Sequence, residues 1–245
     1  MASPRLLNDV PEGIQRIMRE LVSEQITCRL ITKPALHIME GRLPADLVAK
    51  VNEHIDRVRE TAADYSSALV GQIKQGRKSA QLQMDLSETM PAVLAGVIVQ
   101  IATEYLREQG FHANVVPNDM WSVHSYEGDY NPLHDHGGNT ALGLSSILYL
   151  KVPHAIAKKP DVEYGRAPAL NMANGNCDGF TQFVWGATGI RDFALLRPPT
   201  QQYVKPEEGK LLVFPNWLLH RVEPFYGEGE RRTLSCNMDV AFAAA

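Results

Sequence analysis

Apolar residues recur at helical spacing along the first part of the chain and in short strand-like runs after it. Residues 9–25 place Ile14, Ile17, Met18, Leu21 and Val22 three and four apart, which predicts a helix opened by Asp9 and Pro11. Strand-like pieces follow at Thr27–Ile31 and Ala35–Met39. Leu43-Pro44-Ala45-Asp46 opens a second helix, with Leu47, Val51, Ile55 and Val58 on one face and Lys50, Glu53, Asp56, Arg57 and Arg59 outside. Ser66–Gln83 lacks a period and reads as loop, with a short strand over Gln81–Leu86. A third helix runs from about Met90 to Glu108, where Val93, Val97, Ile101 and Tyr105, beside Leu94, Ile98 and Leu106, form a wide apolar stripe. Gly110 stands where a C-terminal cap glycine belongs.

After Gly110 the texture changes. Val115-Val116, Met120–Tyr126, Leu142–Val152, Gly179–Trp185, Gln201–Lys205, Lys210–Phe214, Arg221–Phe225 and Arg231–Phe242 are rich in Val, Leu, Tyr, Phe and Thr. Gly, Pro, Asn and Asp clusters separate them, which predicts an antiparallel sandwich or small barrel. His154–Cys177 reads as an irregular insertion. The expected fold class is α+β in one domain, 1–245: a mainly helical support over 1–112 and a β core over 113–245 that carries the site.

Composition narrows the function. With 44% hydrophobic and 21% charged residues the chain is globular, and a net charge of −4 gives no basic footprint for nucleic acid. No apolar run approaches the 18 or so residues of a membrane span, and Met1-Ala2-Ser3-Pro4-Arg5 lacks a signal-peptide pattern. Cys28, Cys177 and Cys236 are scattered, a poor disulfide framework, so a cytoplasmic location is expected. The expected partner is a small-molecule substrate, with neither nucleic acid nor membrane; a homodimer is admitted.

The chemistry concentrates in Tyr126–Gly138. His134 and His136 lie two apart, so on a strand both face one side while Asp135 faces the other. His220, closing Pro215-Asn216-Trp217-Leu218-Leu219-His220, is a distant third candidate ligand. Three imidazoles suit iron, zinc, copper or nickel. Two other sets stay open: His134, Asp135 and His220, which needs a bulge, or His136 as ligand with Gly138 in the acid position and an open coordination site. Asp135 otherwise serves as an acceptor that orients an imidazole N–H. Arg231 and Thr233 alternate on the last strand with Ser235 and Asn237, and a buried arginine there needs an anionic partner such as a dicarboxylate. Substrate contacts are expected from Trp121, His124, Tyr126, Asn139, Trp217 and Asn237.

These residues in this order resemble a known family. The series is Tyr126-x-Gly128-x-Tyr130-x-Pro132-x-His134-x-His136, Leu148-Tyr149-Leu150, Gly209–Pro215, His220-x-Val222-x-Pro224 and Arg231-x-Thr233. Over roughly 115–242 it is similar to the Fe(II)- and 2-oxoglutarate-dependent dioxygenases, nearest the prolyl-hydroxylase-like branch and its bacterial and phage relatives. The resemblance implies a double-stranded β-helix, the cupin-like jelly roll. By position it assigns the ferrous ion to His134, His136 and His220, and the far carboxylate of 2-oxoglutarate to Arg231, Thr233 and Tyr149. The acid position departs from the family pattern, since it holds His136. The implied activity is an oxygenase, most simply a hydroxylase of an unactivated C–H bond in a small molecule or amino-acid-type substrate. It would use O2 and 2-oxoglutarate and release succinate and CO2. The alternatives are a three-histidine dioxygenase independent of 2-oxoglutarate and a non-catalytic metal-binding jelly roll.

Overall fold

The computed structural model describes residues 36–68, 80–137, 142–162, 175–186 and 200–242. The contacts form two units, Met1–His37 and Ile38–Ala245, and the described residues fall almost wholly in the second. The expected helix over 9–25 and the strand at Thr27–Ile31 lie outside them.

The described strands are β1 (Met39–Arg42), β2 (Gln81–Gln83), β3 (Ala113–Ser125), β4 (Asn131–His134), β5 (Gly143–Lys151), β6 (Thr181–Val184), β7 (Gln201–Val204), β8 (Lys210–Pro215), β9 (Leu219–Val222) and β10 (Arg231–Phe242). They form a six-stranded sheet, β1-β8-β5-β10-β3-β2, and a four-stranded sheet, β4-β9-β6-β7. The strand pairings given by their registers are antiparallel. This is the double-stranded β-helix, or jelly roll, that the resemblance implies. Val115-Val116 and most of Met120–Tyr126 prove to be parts of the one strand β3, which stops at Ser125. Its register with β10 shifts at Asn237/Met238, leaving Asn118 as the extra residue.

Two helices back the large sheet. Helix α1 (Ala45–Val58) buries Val48, Val51, His54 and Ile55. Helix α2 (Thr89–Glu108) buries Leu94, Ala95, Ile98, Ala102, Tyr105 and Leu106, and Gly110 follows it at φ 80°. Among the described residues α2 is the one helix long and apolar enough on average to cross a membrane, although Gln100 breaks its apolar run well short of a span. The physical reason for its apolar character is its load: the stripe packs into the main core with Leu148, Leu150, Leu211, Val213, Leu234, Cys236 and Met238.

Strand alternation separates two interiors. On β10 the side chains of Leu234, Cys236 and Met238 belong to the helix-side core. Those of Arg231, Thr233, Ser235 and Asn237 line a cavity shared with the small sheet. Arg232, fully buried, points to the helix side, where it bonds Asp56 Oδ1 at 2.5 Å, Glu230 Oε2 at 3.0 Å and Asn52 Oδ1 at 3.1 Å. Glu230 also takes His124 Nδ1 at 2.5 Å. Burial pushes the Glu230 carboxyl up, but His124 and Arg232 outweigh it and hold it down at about 2.

A carboxylate held below its ordinary value stabilises the fold above that value and loses the contribution as pH falls toward the folded one. Glu230→Gln is expected to cost about 3 kcal/mol at pH 7 by leaving buried charge short of a partner. In urea unfolding the gap from the parent protein closes as pH falls from 4.5 toward about 2. A gap of equal size at both ends would contradict this role.

Candidate metal centre

Pairing of β4 with β9 sets His134 directly opposite His220. β4 ends at His134, so strand alternation does not carry as far as His136. A turn places His136 instead: its N–H donates to Asn216 O at 2.9 Å, and Gly137 N–H donates to Asp135 Oδ1 at 2.9 Å. Aromatic rings hold the imidazoles in place. Phe214 lies 5.2 Å and Phe183 6.0 Å from the His220 ring, and Trp121 lies 5.6 Å from the His136 ring, centroid to centroid.

Hydrogen bonds fix the tautomers. His134 Nδ1 stands 2.7 Å from Pro132 O, and His220 Nδ1 stands 3.0 Å from Leu218 O. A carbonyl oxygen only accepts, so each Nδ1 carries the proton and each Nε2 of the neutral ring is bare. His220 Nε2 faces His136 Nε2 at 3.3 Å, an approach that needs a proton or a cation between them. Burial, then the neighbouring imidazoles, pulls His136 down to about 4 and His220 to about 3. Burial lowers His134 as well. All three rings are therefore neutral near pH 7, the form that binds a metal.

One ring nitrogen from each lies within 4.8 Å of the others. Nitrogens about 2.1 Å from a divalent ion stand about 3 Å apart across a right angle. The donor set thus fits a facial three-nitrogen site with a modest inward movement. Among the described residues this is the one cluster of histidine, cysteine and carboxylate groups close enough to hold an ion.

Asp135 is exposed and caps its own turn, while backbone carbonyls take the Nδ1 protons of His134 and His220. The expected role of Asp135 in orienting an imidazole therefore falls to Pro132 O and Leu218 O. Gly138 and Asn139 lie outside the described residues.

A cavity of about 250 Å³ opens over the histidines. Arg231, 2% exposed, lines it and donates Nε to Gly179 O at 3.1 Å and Nη2 to Thr181 Oγ1 at 3.3 Å. Its Cζ sits 5.4 Å from the Tyr149 ring centre, and Tyr149 Oη donates to the same Thr181 hydroxyl at 2.7 Å. Burial lowers the proton affinity of Arg231, opposed by Tyr149 alone. Among the described residues no carboxylate pairs with it. Arg231, Thr233, Trp121 and Asn237 come together on the cavity wall.

Three expected substrate contacts do not reach the cavity. His124 is fully buried on the opposite face of β3 from Trp121, held by Ser122 and Glu230. Tyr126 lies past the end of β3, and its hydroxyl accepts from Arg59 Nη2 at 3.1 Å. Trp217 is 55% exposed in the turn between β8 and β9. The alternation that excludes His124 brings in Asp119 and Val123, two residues either side of Trp121, which sequence reasoning passed over. Thr181, which joins Arg231 to Tyr149, carried no sequence signal.

Residues 119–237 match a family model described as "Putative 2OG-Fe(II) oxygenase", a span that contains the histidines and Arg231. No curated protein matches the chain. Solved structures share the fold at low identity. A prolyl-4-hydroxylase from Pseudomonas putida is 16% identical with a TM-score of 0.50, over 86% of this chain and 95% of that one. AviO1 from Streptomyces viridochromogenes Tue57 is 15% identical with a TM-score of 0.52, over 86% and 91%. The non-heme alpha ketoglutarate dependent epimerase SnoN from nogalamycin biosynthesis is 15% identical with a TM-score of 0.53, over 84% and 80%.

If the three imidazoles form the site, His134→Ala, His136→Ala and His220→Ala each lower bound iron well below one per chain, while Asp135→Ala keeps it. Iron analysis after anaerobic loading and desalting checks this. Retention in His136→Ala with loss in Asp135→Ala would assign the third ligand to the carboxylate.

Proposed function

We propose that this chain, a 2OG-Fe(II) oxygenase by its family match, hydroxylates an unactivated C–H bond of a small-molecule or amino-acid-type substrate. The single observation that carries the assignment of the co-substrate's place is Arg231. A guanidinium 2% exposed beside a cavity, with only neutral oxygens as described partners, needs an anion there. A dicarboxylate with one end on Arg231 satisfies it. Thr233 lines the same wall and adds a hydroxyl donor, and Tyr149 fixes Thr181 and flanks the guanidinium.

His134, His136 and His220 hold the iron in this reading. Iron and 2-oxoglutarate, when bound, would supply the oxidising chemistry from O2, with release of succinate and CO2. The residues of the chain do the rest. The carbonyls of Pro132 and Leu218 take the Nδ1 protons and so leave two Nε2 lone pairs free to hold the ion. Phe183 and Phe214 pack against the His220 ring, and Trp121 packs against His136 from the cavity wall. The cavity of about 250 Å³ falls short of the usual range for small-molecule sites. It has room for the co-substrate and the reacting end of a substrate, with the remainder lying across the mouth.

His136 favours one second reading. Three neutral ligands leave the ion with one more positive charge than two histidines and a carboxylate would. In that reading Arg231 grips the substrate's own carboxylate and O2 is consumed without 2-oxoglutarate.

Anaerobic addition of 2-oxoglutarate to the Fe(II)-loaded chain is expected to give a weak visible charge-transfer band, and admission of O2 to release succinate. Arg231→Gln weakens 2-oxoglutarate binding by roughly 10–100-fold, the loss of a charge-assisted pair. Absence of the band, with succinate at background, would sink the leading reading; O2 uptake without 2-oxoglutarate would favour the second.

A further inference from the structure

The cavity is electrically lopsided along its length. In the β3–β10 ladder Asn237 pairs with Asp119, and Arg231 lies six residues further along β10. At about 3.3 Å per residue the two ends of this wall stand roughly 20 Å apart. Arg231 is the one lysine or arginine among the described lining residues, and it sits at the inner end. Asp119 lines the outer end.

Asp119 also lines a second cavity of about 480 Å³, beside the first, whose walls include Asp85 and Glu88. No lysine or arginine lines that cavity among the described residues. Asp119 is thus the wall the two spaces share, with acidic groups beyond it and Asp135 on the histidine side.

The described partners of Asp119 are neutral. Tyr65 Oη donates to Oδ2 at 3.3 Å, and Gln83 and the Met120 N–H add hydrogen bonds. Burial outweighs these and raises its pKa. A half-buried carboxylate on a cavity wall, without a described cation, is the complement of Arg231 at the other end.

Resting on the proposed co-substrate site, we infer that Asp119 is a specificity-determining residue that receives a cationic group of the substrate. The substrate class is then an organic cation, a primary amine or a guanidine. Trp121 lies two residues from Asp119 on the same face, about 7 Å along the strand, and packs on His136. A cationic group on Asp119 therefore leaves a flexible chain of several carbons to reach the histidines. The cation on Asp119 orients that chain, while the co-substrate occupies the Arg231 end.

The test uses the full chain loaded with Fe(II) and 2-oxoglutarate without O2, at pH 7.5. Calorimetric titrations compare n-hexylamine with 1-hexanol, and butylguanidine with butylurea. The cationic member of each pair is expected to bind at least tenfold more tightly. Asp119→Asn is expected to abolish that preference, and Asp119→Glu to keep most of it. Equal affinities within the pairs, a preference that survives Asp119→Asn, or no binding by any of the four would overturn the inference. A separate titration of the parent protein with 2-oxoglutarate keeps the two failures apart. No 2-oxoglutarate binding sinks the co-substrate reading, whereas 2-oxoglutarate binding without charge preference sinks the role of Asp119 alone.

Discussion

The period-two alternation of β10 is the constraint from which the rest of the molecule follows. This strand sits inside the large sheet between β5 and β3 and has an interior on each face. It gives Leu234, Cys236 and Met238 to the core under the helices and Thr233, Ser235 and Asn237 to the cavity. At its start it buries two arginines in succession. Arg232 meets Glu230, Asp56 and Asn52, so its charge is compensated by the fold. Arg231 meets a carbonyl and a hydroxyl, so among the described residues no carboxylate compensates its charge. A slip of one residue in the pairing would exchange the two environments and destroy both.

The metal centre depends on the same kind of registration in the smaller sheet. His220 stands across from His134 because β4 and β9 pair there, and Phe183 flanks it from β6. The third imidazole comes from the turn after β4, anchored to the loop that precedes β9. Two imidazoles are thus set by sheet pairing and one by a backbone bond across loops. His136 is the one of the three not set by strand pairing, at the position where the sequence departs from the family pattern.

Much of this was legible in the sequence, for physical reasons. Alternation in Arg231–Asn237 predicted the inward set; the three histidines do cluster, but a turn, not the strand alternation expected of their spacing, brings His136 to the others. The helix stripes of Leu94, Ile98 and Tyr105 and the cap at Gly110 carried periodic signals. Tertiary choices were less legible. His124 resembled Trp121 in being a ring near the motif, but it lies on the other face of β3 and pairs with a glutamate 106 residues away. Tyr126 and Trp217 lie at a strand end and in a turn, where period-two reasoning lapses. Thr181 matters through Arg231 and Tyr149, contacts between strands far apart in the chain. Asp119 lies two residues before Trp121, but Pro117-Asn118-Asp119 read as a break between two predicted strands, so alternation was not carried back to it.

In the proposed reading the cavity takes a dicarboxylate whose far end rests on Arg231. Its most direct test compares 2-oxoglutarate with 2-oxobutyrate on the Fe(II)-loaded chain without O2. Both carry the keto acid, and only the first carries the far carboxylate. 2-Oxoglutarate is expected to bind about a hundredfold more tightly, the worth of a buried charge-assisted pair. Equal affinity for the two would contradict it.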